Sequence, residues 1–180
     1  MSAQTQSRCY SKSTIDMEIK EIFTYSATVR SKFAGKLSEL PKELVEKNTE
    51  ASFYSMKNIL LHIIDNEDWI VNYAIYEKTK EYKRRRWEEY TNMQMVLDRL
   101  SEVERKTREY LSRADKAELS RRVSFELSSG AKHDLTVEEC LFQSFTEQLY
   151  HLGELIALMW QANIEPPTMQ WFNNNPRLKA

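Results

Sequence analysis

The chain has 180 residues, a formal net charge of −1 and an isoelectric point near 6.3. That length suits one domain with a sizeable core, and the near-neutral balance excludes a global field that would draw nucleic acid or an acidic membrane surface. Three glycines and four prolines leave few turn positions and favour a few long helices, while two cysteines, Cys9 and Cys140, form neither a disulfide framework nor a thiolate zinc spacing.

Residues 1–14 are polar and without apolar periodicity, and are expected to form a disordered tail. No apolar run reaches the roughly 18 residues of a membrane span and no leader pattern is visible, so a reduced, cytoplasmic setting is expected. From Ile15, apolar residues at helical spacing, including Ile19, Phe23, Val29, Phe33 and Leu37, predict a first helix that Pro41 ends. A second helix is expected from Ser55 to Lys78, with Met56, Ile59, Leu60, Ile63 and Ile64 on a broad apolar arc. A third runs from Trp87 to Leu111, with Tyr90, Met93, Leu97, Leu100, Thr107 and Leu111 inward and a charged outer face. Between it and the last helix, Val123, Phe125 and Leu127, then Ala131, His133 and Leu135, alternate with polar residues around Gly130, which predicts a short β-ribbon. Thr136 and Glu139 form a capping box that starts the fourth helix, expected to end near Asn163. The domain so predicted spans residues 15–167, followed by a C-terminal extension over 168–180.

The fourth helix carries two stripes. Phe142, Phe145, Leu149, Leu152, Ile156 and Met159 form one apolar seam; Cys140, Ser144, Glu147, His151, Leu155, Leu158 and Ala162 form a second, with a polar pair at its middle. Two buried seams call for two partners: one seam should face the other helices of this chain and the other a second copy or the ribbon and tail, a symmetric homodimer being the economical reading. Glu147 and His151, one turn apart, point the same way, as two ligands of one metal ion must. His62 is the best third ligand, on a stripe with Asn66, Trp69 and Tyr73 that is expected to face the fourth helix. Two imidazoles and a carboxylate leave coordination positions open, where a divalent ion polarises a bound oxygen or stabilises a bound thiolate. On spacing alone the simpler reading is a buried Glu147–His151 hydrogen-bonded pair, with His62 satisfied separately.

Taken together, the first helix ending at SELP, the segment SFYSMKNILLHIIDNEDWI, a ribbon ending HDLT and the run FQSFTEQLYHLGELIALMWQANIEPP resemble the DinB-like superfamily over about residues 16–167. The resemblance implies an all-α, DinB-like four-helix bundle with a short β-ribbon between helices three and four, often dimeric. It also implies a divalent metal held by one histidine of helix two and an HxxxH pair of helix four. His62 and His151 match two of those positions; Glu147 replaces the first histidine of the pair, and HLGE stands where the family has an HRGQ-like sequence. The metal set is therefore His62, Glu147 and His151, holding zinc, nickel, manganese or iron.

The resemblance further implies a metal-dependent enzyme acting on a small molecule: a thiol-dependent transferase using a low-molecular-weight thiol, or a hydrolase. Tyr73 and Tyr150 are candidates to donate a proton or orient substrate. The alternative is a non-catalytic helical dimer with a degenerate metal site, serving in binding or stress response. Lys83–Trp87, KRRRW, is the one basic cluster, and flanking Glu81, Glu88 and Glu89 make it a solvated turn with compensating ion pairs, so no nucleic-acid partner is expected. His133 is placed over the mouth of the site or on an ordinary amphipathic strand.

Overall fold

The computed structural model describes residues 18–127 and 129–174; the tail expected over 1–14 lies outside them. Four long helices form the bundle: α1 (Ile19–Ser38), α3 (Met56–Trp69), α4 (Met93–Arg113) and α6 (Val137–Gln161). Short helices α2 (Lys42–Val45), α5 (Lys116–Ser120) and α7 (Trp171–Asn174) fill the connections and the C-terminal end. Strands β1 (Arg122–Glu126) and β2 (Lys132–Thr136) pair antiparallel between α5 and α6, with Phe125 opposite His133 and Val123 opposite Leu135.

The starts of these elements follow local chemistry. Ser55 caps α3 by accepting from the Asn58 amide at 3.2 Å, and Asn92 caps α4 by accepting from the Met95 amide at 3.0 Å. The Thr136–Glu139 capping box is present in both directions: the Thr136 hydroxyl accepts from the Glu139 amide, and the Glu139 carboxylate accepts from the Thr136 amide at 2.7 Å.

Four expectations need correction. The helix predicted from Ser55 to Lys78 is α-helical only to Trp69 and continues as a π-helical segment, Ile70–Ala74, whose wider turn rotates the residues after it. The helix predicted from Trp87 starts at Met93, because Trp87–Glu89 forms a separate 3₁₀ turn before the Asn92 cap; Val96 and Val103 join its buried face. On α6 both seams pack inside this chain, chiefly against α1 and α3, since Cys140, Ser144, His151, Leu155 and Leu158 are buried with Phe145, Leu152 and Met159. Phe142, assigned to the core, is 52% exposed.

The apolar interior divides into two clusters. One includes Phe33, Ile64, Val103 and Leu152; the other, at the ribbon end, includes Ala27, Ile70, Tyr110 and Phe145. Between them on every bundle helix lies one buried polar residue: Arg30, Glu67, Thr107 and Gln148, each 0% exposed. The Arg30 guanidinium donates through Nη1 to a Glu67 oxygen and to Gln148 Oε1 (3.0 Å). Gln148 Nε2 donates to the same Glu67 oxygen (2.8 Å), and Thr107 donates to the other (2.6 Å). Arg30 Nη2 lies 3.6 Å from Glu104 of α4. This layer couples all four helices in axial register, because sliding or rotating any of them strands a buried charge. Sequence periodicity does not reveal it.

The described part of the C-terminal extension docks on α1. Trp171 packs against Tyr25, whose hydroxyl donates to the Met169 carbonyl, and buried Asn174 accepts from Lys32 at 2.6 Å.

Candidate metal centre

Helices α3 and α6 face each other, and the expected stripe brings His62 against Glu147 and His151. One ligand atom from each lies within 4.8 Å of the other two. Glu147 Oε1 is 3.2 Å from His151 Nε2 and 3.7 Å from His62 Nε2. Two donors about 2.1 Å from a shared ion, at angles near tetrahedral or octahedral, stand about 3.0–3.5 Å apart, so the 3.2 Å pair already has that spacing and His62 Nε2, at 3.7 Å, is slightly wider than it.

The tautomer of His151 follows from its other side. Its Nδ1 lies 3.0 Å from Glu154 Oε2, and Glu154 also accepts from the Ser52 amide (2.9 Å) and hydroxyl (2.7 Å). Burial pushes the Glu154 carboxyl up, but the bonds from Ser52 and His151 outweigh it and hold its pKa below the ordinary value. An ionised carboxylate only accepts, so the Nδ1 that faces Glu154 carries a proton, and Nε2, 3.2 Å from Glu147 Oε1, is the nitrogen that would face an ion. A carboxylate so placed behind a histidine orients metal-binding imidazoles.

His62 supplies the complementary observation. Its Nε2 is buried and has no hydrogen-bond partner among the described residues. Burial, then the proximity of His151, lower its pKa despite the opposing pull of Glu147, which keeps the imidazole neutral and its electron pair available. Phe53 stacks on its ring at 4.0 Å and meets the His151 ring edge-on at 5.3 Å, shielding that side. Donor atoms of three side chains thus converge, and among the described residues outside the cluster only Gln143, 3.3 Å from the other Glu147 oxygen, donates to the carboxylate from its side chain. Such a set fits a divalent cation of the borderline class that imidazole and carboxylate share.

Glu147 also lines a cleft of about 790 Å³ that runs from the cluster toward the ribbon. His133 lies on its wall, stacked on Phe125. The tyrosines differ in placement. Tyr150 is 72% exposed with its ring edge against His151. Tyr73, beyond Trp69 in the π-helical segment, packs on Tyr82 and lines a separate cleft with Asp68 and Arg99. The roles of Phe53, Ser52 and Glu154 at the cluster were missed from sequence; only Glu154, three residues after His151, carried a readable signal.

A DinB family model matches residues 1–177. The chain belongs to the DinB family. Protein DinB of Bacillus subtilis (strain 168) is 25% identical over 152 residues, covering 79% of this chain and 84% of that protein. A DinB-like protein from Bacillus cereus ATCC 10987, known from its crystal structure, superposes with a TM-score of 0.62 at 19% identity, over 83% of this chain and 94% of that one. This member of the DinB family therefore has the DinB-like bundle and a His62–Glu147–His151 cluster that could hold a metal ion. Among its described residues no helix is long and apolar enough to cross a membrane.

Proposed function

We propose that this DinB family protein is a divalent-metal-dependent enzyme acting on a small molecule, most simply a thiol-dependent transferase, with metal-assisted hydrolysis as the close variant. The observation that carries the reading is the convergence of His151 Nε2, Glu147 Oε1 and the unpartnered His62 Nε2 beside a large cleft. When bound, a divalent ion such as zinc, nickel, manganese or iron lowers the pKa of a coordinated thiol or water and so supplies a nucleophile near neutral pH. The chain's own residues do the rest. Glu154 and Ser52 hold His151 in the tautomer that leaves Nε2 free, Glu147 offsets one positive charge, and Phe53 keeps water from one face. An electrophilic substrate would enter from the cleft side of Glu147 to meet a low-molecular-weight thiol. Tyr150 is a positioning residue through its contact with His151.

A second reading draws on His151 bridging Glu147 and Glu154: a protonated His151 would satisfy both carboxylates and make the cluster a structural triad in a non-catalytic bundle. Metal content per chain, measured by mass spectrometry on tag-free protein with His62→Ala and Glu147→Ala in parallel, separates the two. Near-stoichiometric metal that is lost in both variants supports the enzyme. Protein that takes up no zinc, nickel, manganese or iron on reconstitution is the structural triad.

A homodimer belongs to the same proposal. The outward face of α6 presents Phe142, Tyr150, Gly153, Ala157 and Trp160, exposed and uncharged, with small residues at its middle where two copies of α6 would cross. Ala157→Arg should convert a dimer to monomer in sedimentation, and an unchanged mass would remove this face from consideration. No nucleic-acid role is proposed, since Arg85 and Arg86 pair with Glu89 and Arg84 lies over the Trp87 ring. A cytoplasmic setting accords with Cys140 being buried and free.

A further inference from the structure

The cleft beside Glu147 has a chemistry of its own. Its walls are Ile19 and Ile22 of α1, Trp69 and Ile70 at the end of α3, and Phe125 and Leu135 of the ribbon. At about 790 Å³ it has the size of a small-molecule site. Among the described residues no lysine or arginine lines it; the ionisable groups there are Glu138, Glu139, Glu147, His133 and Cys140. Asn66, one turn beyond His62, also lines it, and Asn66 Oδ1 is buried without a hydrogen-bond partner among the described residues. An unpaired acceptor just behind a largely apolar wall is matched by a ligand that brings a donor, once the Asn66 amide turns toward the cleft.

We infer that this cleft binds an apolar, ring-sized molecule whose head is neutral or cationic and donates a hydrogen bond, with the head at Asn66 and Glu147 and the body against Trp69, Phe125 and Leu135. A carboxylate or phosphate head would lie among carboxylates with no side-chain cation among the described lining residues to meet it, whereas an amine finds complementary charge at the Glu138 and Glu139 rim. Calling the bound molecule a substrate rests on the metal-centre reading above; the binding itself does not.

The test is calorimetric titration of metal-free protein at pH 7 with two probes that share a ring system, 1-naphthylmethylamine and 1-naphthoic acid. The amine is expected to bind at least tenfold more tightly than the acid. Asn66→Leu should weaken the amine about fivefold or more, and Leu135→Trp, which fills the cleft, should abolish binding of both probes. Ile22→Trp fills the cleft from α1 and serves if Leu135→Trp lowers the melting temperature. Equal or tighter binding of the acid overturns the inference, as does amine binding that both filling variants leave unchanged. A dimer that both filling variants dissociate, without probe binding to the unaltered protein, would show the cleft to be covered by a second copy and would also overturn it. Zinc uptake measured on the same samples keeps the two readings apart: uptake without amine preference removes the cleft inference alone, and amine preference without uptake removes the metal centre alone.

Discussion

Arg30→Met tests the buried polar layer most directly. The substitution keeps an unbranched side chain of similar length but removes the cation from Glu67, and both positions are 0% exposed. Breaking a buried pair by deleting one partner costs about 3–5 kcal/mol, because the remaining charge has no water to return to. Glu67 keeps two neutral donors, Thr107 at 2.6 Å and Gln148 at 2.8 Å, one on each oxygen, which places the expected loss near the lower end, about 3 kcal/mol. For a chain of this size that corresponds to a fall in melting temperature of about 6–12 °C. The assay is urea unfolding at pH 7 followed by circular dichroism, with Arg30→Met/Glu67→Gln beside the single variant. The double variant strands no charge and should be at least about 1 kcal/mol more stable than Arg30→Met alone. A single-variant loss below about 1 kcal/mol, or a double variant less stable than the single, would refute the claim that a buried charge pair holds the four helices together.

Three further outcomes are expected. Glu154→Ala should leave the fold intact but weaken zinc affinity about 10–100-fold, since His151 then loses the carboxylate that fixes its tautomer; an unchanged affinity by competition with a fluorescent chelator would count against the assignment. Burial raises the pKa of Cys140 to about 11, so its thiol stays protonated where an ordinary thiol ionises. In a Cys9→Ser background its alkylation rate should climb about tenfold per pH unit up to pH 10, where a thiol of ordinary pKa levels off near 9. By linkage, because the folded pKa lies above the unfolded one, this group takes stability away as pH rises above about 9 and has no effect below it. Thr136→Ala removes one half of the α6 capping box and should cost about 1 kcal/mol in chemical unfolding; a loss below a few tenths would mean that the ribbon, not the cap, fixes the start of α6.

Much of the candidate site was legible in the sequence because its information is local. The one-turn spacing of Glu147 and His151, the placement of His62 on the α3 stripe and the Thr136–Glu139 box are properties of a single helix, and helical geometry alone determines which way such side chains point. The same reasoning failed at Tyr73, because four residues beyond Trp69 it assumed a turn of constant width where Ile70–Ala74 is π-helical. It failed again at Phe142, which helical periodicity assigns to a buried seam although it is half exposed.

By itself, then, the sequence determined the class of fold, the order of the long helices and ribbon, and the three side chains whose donor atoms cluster. Only the tertiary structure decided that Arg30, Glu67, Thr107 and Gln148 form one layer, that Ser52 and Glu154 set the proton on His151, and that Phe53 covers His62. The physical reason is one of range. Periodicity reports which side of its own helix a residue occupies, whereas a hydrogen bond between residues 102 positions apart, as from Ser52 to Glu154, exists only once the helices have packed.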